Sequence, residues 1–276
     1  MSGPSRVAIL LYHSVTGPVQ PGYQPFAIEP AVFREHLDLI AAGGYRPITV
    51  SQLAAGMAGQ TGGALPDRVA VITFDDGFLD FHTTVVPELE ARGLPATLYV
   101  VAGLMGGRSE WLRDVGEQDR PLMTPAMVRE VAGKGIECGS HGLRHRPLDV
   151  ISRRDAEEEV SVSKRLLEDV TGRAVNSIAY PYGYHDRWLR GAVMDAGYTS
   201  ATAVKNALSH AQDDVFGLAR LTVTAGTSTA TVAAWLRGEG AVTAPARERP
   251  ITTAWRLVRR ARGLVEQPAT RPVLGA

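Results

Sequence analysis

Short apolar runs alternate with stretches of helical periodicity along most of this chain, and this alternation restricts the fold more than any other feature. Parallel strands covered by helices on both faces read as continuous apolar runs. Seven runs are predicted as strands, at residues 7–12, 69–74, 96–101, 136–140, 177–180, 198–201 and 218–223. Helices are predicted between them, at residues 30–42, 49–58, 79–92, 124–133, 153–171, 186–196 and 229–238. The repeat predicts a (β/α) barrel or a doubly wound sheet.

Composition excludes several classes of protein. The chain has 276 residues with 29 basic and 29 acidic side chains, so its zero net charge gives no support for nucleic acid as a partner. A single cysteine, Cys138, rules out an intramolecular disulfide and a cysteine zinc cluster. The apolar run 7–12 is too short for a signal-peptide core, and no run reaches the roughly 20 residues of a membrane span. We therefore expect a cytoplasmic protein.

Two adjacent carboxylates, Asp75 and Asp76, end the predicted strand 69–74 and are followed by Gly77. Carboxylates at the end of an apolar strand are costly unless they are solvated or paired with a cation. Gly77 permits a turn that could direct both into one pocket at the carboxyl end of a barrel, where barrel enzymes keep their chemistry. The alternative for this segment alone is an ordinary surface turn.

Two histidines, His141 and His145, follow another predicted strand and have the spacing of a metal-binding pair. With Asp76 they make two imidazoles and one carboxylate, an open set that leaves positions for water and substrate. Asp75 is then free to act as a base. Taken alone, the histidine pair has the alternative of two surface residues.

Two further segments end strands. Pro181 and Gly183 flank Tyr182 in a stiff loop whose backbone N–H could face an oxyanion, the alternative being a rigid turn. His13 follows the first strand, where a histidine is more often a hydrogen-bonded structural residue than a catalyst. Two acidic features and four other histidines are not predicted to take part in catalysis. Asp80 is interpreted as a structural partner and residues 155–159 as a solvated helix face, with no role assigned to His36, His82, His185 and His210.

Read in order, these segments resemble the polysaccharide deacetylases, the NodB-homology or carbohydrate esterase family 4 group, over residues 7–225. The resemblance implies a distorted (β/α) barrel of about seven parallel strands, acting on an N-acetylated carbohydrate. It implies Asp75 as the base, and a divalent metal held by Asp76, His141 and His145. Zinc is the expected ion, with cobalt, nickel or iron(II) as alternatives.

The resemblance also assigns roles around the substrate. Tyr182 corresponds to the residue whose backbone N–H helps to form the oxyanion hole, and Pro181 and Tyr182 are expected to contact substrate. The segment containing Trp111 and the opening Tyr12-His13 resemble the subgroup of biofilm poly-N-acetylglucosamine deacetylases. Trp111 is therefore a further predicted substrate contact.

Three departures from the family pattern affect this assignment. Gly142 replaces the Ser or Thr that usually follows the first metal histidine, so a loop-bracing hydroxyl is missing. Ala179 stands where many members carry an arginine that pairs with the catalytic aspartate, and we assign that role to Arg220, with a rim salt bridge as the alternative. No Leu-x-x-His follows the last strand, and the biofilm subgroup instead places the acid histidine in the opening motif, here His13.

The predicted function is removal of an acetyl group from an N-acetylated sugar by metal-activated water, with Asp75 as base and protonated His13 as acid. The substrate could be an N-acetylglucosamine-type oligosaccharide or polysaccharide, a glycolipid or a glycoside. One alternative is an amidohydrolase acting on a cyclic imide or a small N-acyl metabolite. Another is a degenerate carbohydrate-binding barrel without turnover.

The chain divides by charge into a catalytic barrel, residues 1–240, and a C-terminal tail, residues 241–276. The tail carries seven arginines and two glutamates. Residues 251–266 are predicted as an amphipathic helix with apolar side chains on one face and arginines on the other. Packing of this helix on the barrel is one interpretation, and peripheral contact with anionic membrane is the other.

Overall fold

The computed structural model describes residues 6–60 and 65–245, and within them seven parallel strands close into a barrel. Hydrogen-bonded neighbours follow the order β1-β7-β6-β5-β4-β3-β2, and β2 pairs with β1 to close the ring. The strands are β1 Ala8–Tyr12, β2 Val69–Phe74, β3 Thr97–Val100, β4 Glu137–Ser140, β5 Ser177–Ala179, β6 Ser200–Val204 and β7 Leu218–Thr222. The predicted (β/α) barrel of about seven parallel strands is confirmed.

Helices surround the barrel in the alternating order that the sequence predicts. Those of the described residues are α1 Pro30–Ala42, α2 Val50–Met57, α3 Val86–Arg92, α4 Pro125–Gly133, α5 Arg153–Thr171, α6 Arg187–Asp195 and α7 Thr229–Leu236. The predicted helix 79–92 differs, because a π-helix, Phe81–Val85, precedes α3. Short elements that the periodicity does not reveal are the strands Ser14–Val15, Ala27–Ile28 and Arg46–Pro47 and the 3-10 helices Gln24–Phe26, Ala102–Leu104, Glu110–Val115 and Pro181–Gly183.

Side-chain caps begin several helices where the sequence places them. Thr49 and Gln52 form a reciprocal capping box at the start of α2. Four other N-terminal side chains accept a hydrogen bond from the backbone amide three residues on, satisfying a donor that the helix leaves open; these are Thr124, Ser152, Asp186 and Ser228. The local sequence therefore determines where these helices begin.

Side chains on the two faces of the strands pack into two separate hydrophobic cores. Residues directed outward, among them Leu10, Phe74 and Leu98, pack under the helices in the main cluster. Residues directed inward form a smaller cluster that includes Ile9 and Tyr99. Helix α2 covers the amino ends of the strands. The candidate site is therefore expected at the loops that follow the carboxyl ends.

Three interpretations of the sequence outside the site have different outcomes. Residues 155–159 are not a uniformly solvated face, because Glu159 is completely buried on the inner side of α5. The predicted helix 251–266 lies outside the described residues.

The boundary at residue 240 stays a prediction, although Val242 and Ala244 still bond to the backbone of Leu208. In the part of the chain that the structure describes, no helix is long and apolar enough to span a membrane.

Gly139, in the middle of β4, is required by the packing inside the barrel. A Cβ atom at this position would lie 2.6 Å from the ring of Tyr99 and 2.9 Å from the carbonyl oxygen of Ser177. Both neighbours belong to adjacent strands, so neither can move away freely. We predict that Gly139→Ala lowers the free energy of unfolding by about 1–3 kcal/mol, the usual cost of overpacking a core. Urea denaturation measures this change.

Gly133→Ala is the matched control, because Gly133 lies at the end of α4 and a Cβ atom added there would have no neighbouring atom within 4 Å. Alanine favours a helix over glycine by about 1 kcal/mol, so this variant should be as stable as the parent or more stable. Equal stabilities of the two variants would contradict the close approach of Tyr99.

Candidate active site

The candidate catalytic residues meet at the carboxyl end of the barrel. His13 follows β1, Asp75 and Asp76 follow β2, His141 follows β4, and Tyr182 lies just beyond β5. Parallel strands end at the same rim, so residues far apart in the sequence are brought together there. The β1–β2 pairing continues into the site, because the Asp75 amide donates to the carbonyl of Tyr12 at 3.0 Å.

Asp76, His141 and His145 are buried together, with their potential ligand atoms all within 4.8 Å of one another. Asp76 Oδ1 lies 3.5 Å from His141 Nε2 and 3.3 Å from His145 Nε2. The Nδ1 atom of His141 is 2.8 Å from the carbonyl oxygen of Ala179. As a donor to that carbonyl, Nδ1 carries the proton and leaves the Nε2 lone pair directed at the cluster.

Left-handed backbone conformations direct these side chains. Asp76 has φ 77° and His145 has φ 56°, values that non-glycine residues rarely adopt. Gly77 continues the turn with φ 76°, and its carbonyl accepts the Met123 amide at 3.0 Å. The turn at Asp75-Asp76 is therefore a buried and bonded corner, and the alternative of an exposed surface turn is wrong.

The electrostatics of the cluster suit a divalent cation. Burial, followed by repulsion from Asp75, raises the pKa of Asp76 well above its ordinary value. Burial also lowers the pKa of His141 and, together with the charge of His141, that of His145. Asp76 Oδ1 is buried and has no hydrogen-bond partner among the described residues. Two neutral imidazoles and one carboxylate match the ligand preferences of zinc, so the residues present fit a metal of this kind.

Asp75 is held by a bidentate ion pair with Arg220, which lies in the last barrel strand. The two guanidinium nitrogens are 2.6 and 2.8 Å from the two carboxylate oxygens. Burial would raise the pKa of Asp75, but the charges of Arg220 and His141 outweigh it and hold the pKa at about 2. Arg220 has no exposed surface, so the alternative of a salt bridge on the rim is wrong.

Arg220 itself is anchored inside the barrel. Its Nε donates to the carbonyl of Ala203 at 3.4 Å, and its Nη1 also approaches Thr73 Oγ1 at 3.4 Å. The guanidinium carbon lies 5.4 Å from the centre of the Tyr99 ring, within the range of a cation–π contact. The arginine is therefore oriented by the barrel before it contacts Asp75.

His13 lies beside this ion pair but is not charged at neutral pH. Its ring is partly exposed, and its Nδ1 is buried with no hydrogen-bond partner among the described residues. Burial lowers the pKa of His13 to about 4, with the charge of Asp75 opposing the shift. The edge of the ring packs on Phe26, with 5.0 Å between the centroids. A resting His13 is therefore neutral, and the protonated ring expected from the sequence is not its resting state.

The predicted substrate contacts lie around His145. Tyr182 has φ 61°, and its half-buried ring meets the His145 ring edge-on at 4.7 Å. Pro181 precedes it and is buried. Trp111 is only 5% exposed and stacks on the His145 ring, with 4.7 Å between the centroids. Its closeness to His145 gives Trp111 a role in holding this histidine, in addition to the predicted contact with substrate.

The structure adds contacts that sequence reasoning missed. Asp80 accepts hydrogen bonds from the Ser14 hydroxyl and the Val15 amide and pairs with Arg120 at 3.3 Å, so it joins the His13 segment to the loop that carries Trp111. The prediction of Asp80 as a structural partner is confirmed, whereas its particular partners were not predicted. His36 is buried and bonds to the Tyr12 hydroxyl at 3.1 Å.

The remaining histidines have contacts away from the cluster of Asp76, His141 and His145. His82 pairs with Glu130, and His210 contacts the Ala244 carbonyl. His185 stacks on Tyr180 with 4.6 Å between the ring centroids. None of these contacts involves Asp75, Asp76, His141 or His145.

Comparison with known proteins assigns the chain to a family. The sequence profile of the polysaccharide deacetylase family matches residues 62–201. YxkH of Bacillus subtilis (strain 168), a proposed polysaccharide deacetylase, is 22% identical over 233 residues, which are 84% of this chain and 77% of that protein. Poly-beta-1,6-N-acetyl-D-glucosamine N-deacetylase of Escherichia coli (strain K12) is 31% identical over 119 residues. That match covers 42% of this chain and 17% of the Escherichia coli protein.

Solved structures show the same barrel. The Streptococcus pyogenes deacetylase PplD, in complex with acetate, superposes with a TM-score of 0.71 at 20% identity, covering 83% of this chain and 97% of that chain. IcaB from Ammonifex degensii superposes with a TM-score of 0.68 at 21% identity, covering 85% and 98%. At 20% and 21% sequence identity, these structural similarities establish the fold alone.

The ion pair between Asp75 and Arg220 generates a test of stability. We predict that Arg220→Met lowers the free energy of unfolding at pH 7 by about 3–5 kcal/mol, because it leaves a buried carboxylate without its partner. The pair stabilises the fold above the ordinary aspartate pKa of 3.8, and this contribution is lost as the pH falls toward 2. The deficit of the variant should therefore shrink in urea denaturation as the pH is lowered from about 4 toward 2.

The double variant Asp75→Asn/Arg220→Met completes a double-mutant cycle. Its neutral amide needs no counter-ion, so we expect a smaller loss of stability than the sum of the two single variants. Additive losses would contradict a direct interaction between the two side chains.

Proposed function

The chain belongs to the polysaccharide deacetylase family, and on this premise we propose that it is a metal-dependent hydrolase that removes the acetyl group from an N-acetylated sugar. One arrangement carries the proposal. Three metal-type ligands, Asp76, His141 and His145, meet beside an aspartate, Asp75, that Arg220 keeps ionised. A fold that had lost turnover would have no need to keep two buried carboxylates at one rim.

Asp76, His141 and His145 would hold the divalent cation, with zinc the ion that best suits the donor set. When bound, such an ion supplies a Lewis acid that polarises a carbonyl and lowers the pKa of water. The protein contributes orientation, since His141 is held by the Ala179 carbonyl and His145 packs against the rings of Trp111 and Tyr182.

Asp75 acts as the general base in this proposal. It accepts a proton from the attacking water while the oxygen bonds to the amide carbon. A pKa of about 2 keeps the carboxylate ionised throughout the neutral range, and both of its oxygens are oriented by Arg220. Asp75 Oδ2 lies 3.7 Å from His141 Nε2, which places the base against the ligand cluster.

His13 delivers a proton to the sugar nitrogen as the carbon–nitrogen bond breaks, giving acetate and a free amine. Because burial holds its pKa at about 4, the ring must take a proton from solvent before this step, and Asp75 later releases the proton from water to solvent. The nearby Asp75 carboxylate favours the protonated form. The ring therefore carries the proton transiently.

The loop after β5 completes the proposed site. The Tyr182 backbone N–H would donate to the oxyanion that forms on the former carbonyl oxygen. The left-handed φ of Tyr182 and the buried Pro181 keep this loop in one conformation. A Cβ on Gly183 would lie 2.5 Å from the Val204 amide nitrogen, so the loop docks closely on the end of β6.

Release of acetate tests the proposed function. We expect acetate from N-acetylglucosamine oligomers, chitobiose or a glycolipid precursor when zinc is supplied, and none after chelation. Asp75→Asn should lower kcat by about 10²–10⁴-fold, because the general base is removed. Zinc binding should survive in this variant. Asp76→Asn should lose zinc binding. Coupled acetate assays and metal titration measure the two effects.

Several outcomes would decide against the proposal. Turnover of a cyclic imide or a small N-acyl metabolite, with none of the sugars cleaved, would assign a different amidohydrolase activity. Bound metal without turnover of any substrate would favour a carbohydrate-binding barrel. Loss of metal in Asp75→Asn would make Asp75 a ligand rather than the base.

The pH–rate profile tests His13. If a protonated His13 is the acid, kcat/KM declines with rising pH on a limb below the ordinary histidine value of 6.5, because burial lowers the pKa of the ring. We predict that His13→Asn removes this limb and lowers kcat by about 10²–10⁴-fold. His82→Asn is the control, since His82 pairs with Glu130 at the surface. A limb that persists in His13→Asn belongs to another group.

A further inference from the structure

We propose that Glu159 is a positioning residue that holds the segment 141–145 in its metal-binding conformation. The proposal rests on the proposed function, because it concerns how His141 and His145 are kept in place. Glu159 belongs to α5, next to the cluster but not part of it, and its side chain has no exposed surface.

One carboxylate oxygen of Glu159 bonds to two consecutive amides between the histidines. Its Oε2 accepts the amides of Leu143 and Arg144, each at 2.8 Å. Its Oε1 accepts the Arg144 guanidinium at 3.3 Å. Hydrogen bonds to an ionised acceptor are roughly twice as strong as neutral ones, so these bonds oppose any rotation of the segment.

The segment needs such support because its backbone is strained. Gly142 and His145 both have left-handed φ values, 76° and 56°. For a residue like His145 this conformation costs about 1–3 kcal/mol and persists only where surrounding contacts enforce it. Gly142 has no side chain with which to brace the segment. A Cβ there would lie 3.2 Å from Glu159 Oε2, so the absent side chain makes room for the carboxylate.

Other contacts complete the support from both sides. The carbonyls of Gly142 and Leu143 accept amides of the 3-10 helix Ala102–Leu104 at 3.0 and 2.8 Å. On the α5 side, the Ser163 hydroxyl is 2.7 Å from that of Ser140, which in turn accepts the Gly142 amide at 3.1 Å. The carbonyls are thus held by one element and the amides by another.

The buried face of α5 carries the polar side chains that support the segment 141–145. Its buried residues follow helical spacing, and two of the five are polar: Ala156, Glu159, Val160, Ser163 and Leu167. Both polar members bond to β4 or to the segment that follows it. A stripe that served packing alone would have no reason to bury a glutamate, which is rarely buried unless it is paired.

Cobalt(II) binding to the full chain, followed by visible absorption, tests the proposal with a readout that does not depend on turnover. We expect Glu159→Ala to bind cobalt about 10–100-fold more weakly, the usual effect of removing an outer partner of metal ligands. Glu159→Gln keeps the shape and one acceptor oxygen, so we expect a smaller loss of several-fold. In both variants kcat at saturating metal should return toward the parental value, which would not occur if the fold were damaged.

Glu158→Gln is the matched control, because Glu158 bonds the Arg144 side chain at 3.0 Å in an exposed position. It should bind cobalt like the parent. The proposal is overturned if Glu159→Ala binds cobalt as tightly as this control. If Glu159→Ala fails to fold, parental cobalt affinity in Glu159→Gln overturns it equally.

Failure of the proposed function gives a different pattern. In that case the parent would bind cobalt no better than Asp76→Asn. If the parent binds cobalt and Asp76→Asn does not, but Glu159 variants match Glu158→Gln, only the positioning role of Glu159 is lost.

Discussion

Burial of ionised groups at the mouth of the barrel is the constraint on which the rest of the structure depends. Asp75 and Asp76 are adjacent in sequence and each is only 3% exposed, so their charges must be compensated within the protein. Arg220 compensates Asp75 through two short bonds. Asp76 has no comparable partner and is left facing two imidazoles, which suits a cation. The two adjacent carboxylates therefore differ in their surroundings, and this difference underlies the proposed roles of Asp75 as base and Asp76 as ligand.

The barrel interior is shaped around this division. A guanidinium inside a parallel barrel needs hydrogen-bond acceptors and a packing partner. The Ala203 carbonyl and the Thr73 hydroxyl are the acceptors, and the Tyr99 ring packs against the guanidinium. The Tyr99 ring in turn needs space, which Gly139 provides two residues before His141. The pairing of Asp75 is therefore connected through packed side chains to the strand that leads to His141.

The rim is held from outside by the surrounding helices and loops. Glu159 and Ser163 of α5 bond the His141–His145 region, while Asp80 bonds the segment after His13 and Arg120 of the loop behind it. Residues outside the candidate site thus hold the backbone segments from which the candidate side chains project. Departures from the family pattern at residues 142 and 179 are matched by contacts from Glu159 and Arg220, which come from elsewhere in the chain.

The sequence by itself determined the alternation of strands and helices, most helix starts and the strand-end positions of the candidate residues. These properties depend on local periodicity, capping side chains and turn-forming glycines, which short stretches of sequence encode. Arg220 could be proposed as the partner of Asp75 from its place in the last strand.

Only the tertiary structure decided which charges are paired, buried or left for a cation. The acidic run 155–159 near a helix start predicts a solvated face, yet Glu159 is buried against amides 15 and 16 residues away in the sequence. His13 was expected to be protonated, but burial lowers its pKa to about 4. Hydrogen-bond partners and desolvation are set by residues brought together when the barrel closes, and no local pattern contains that information.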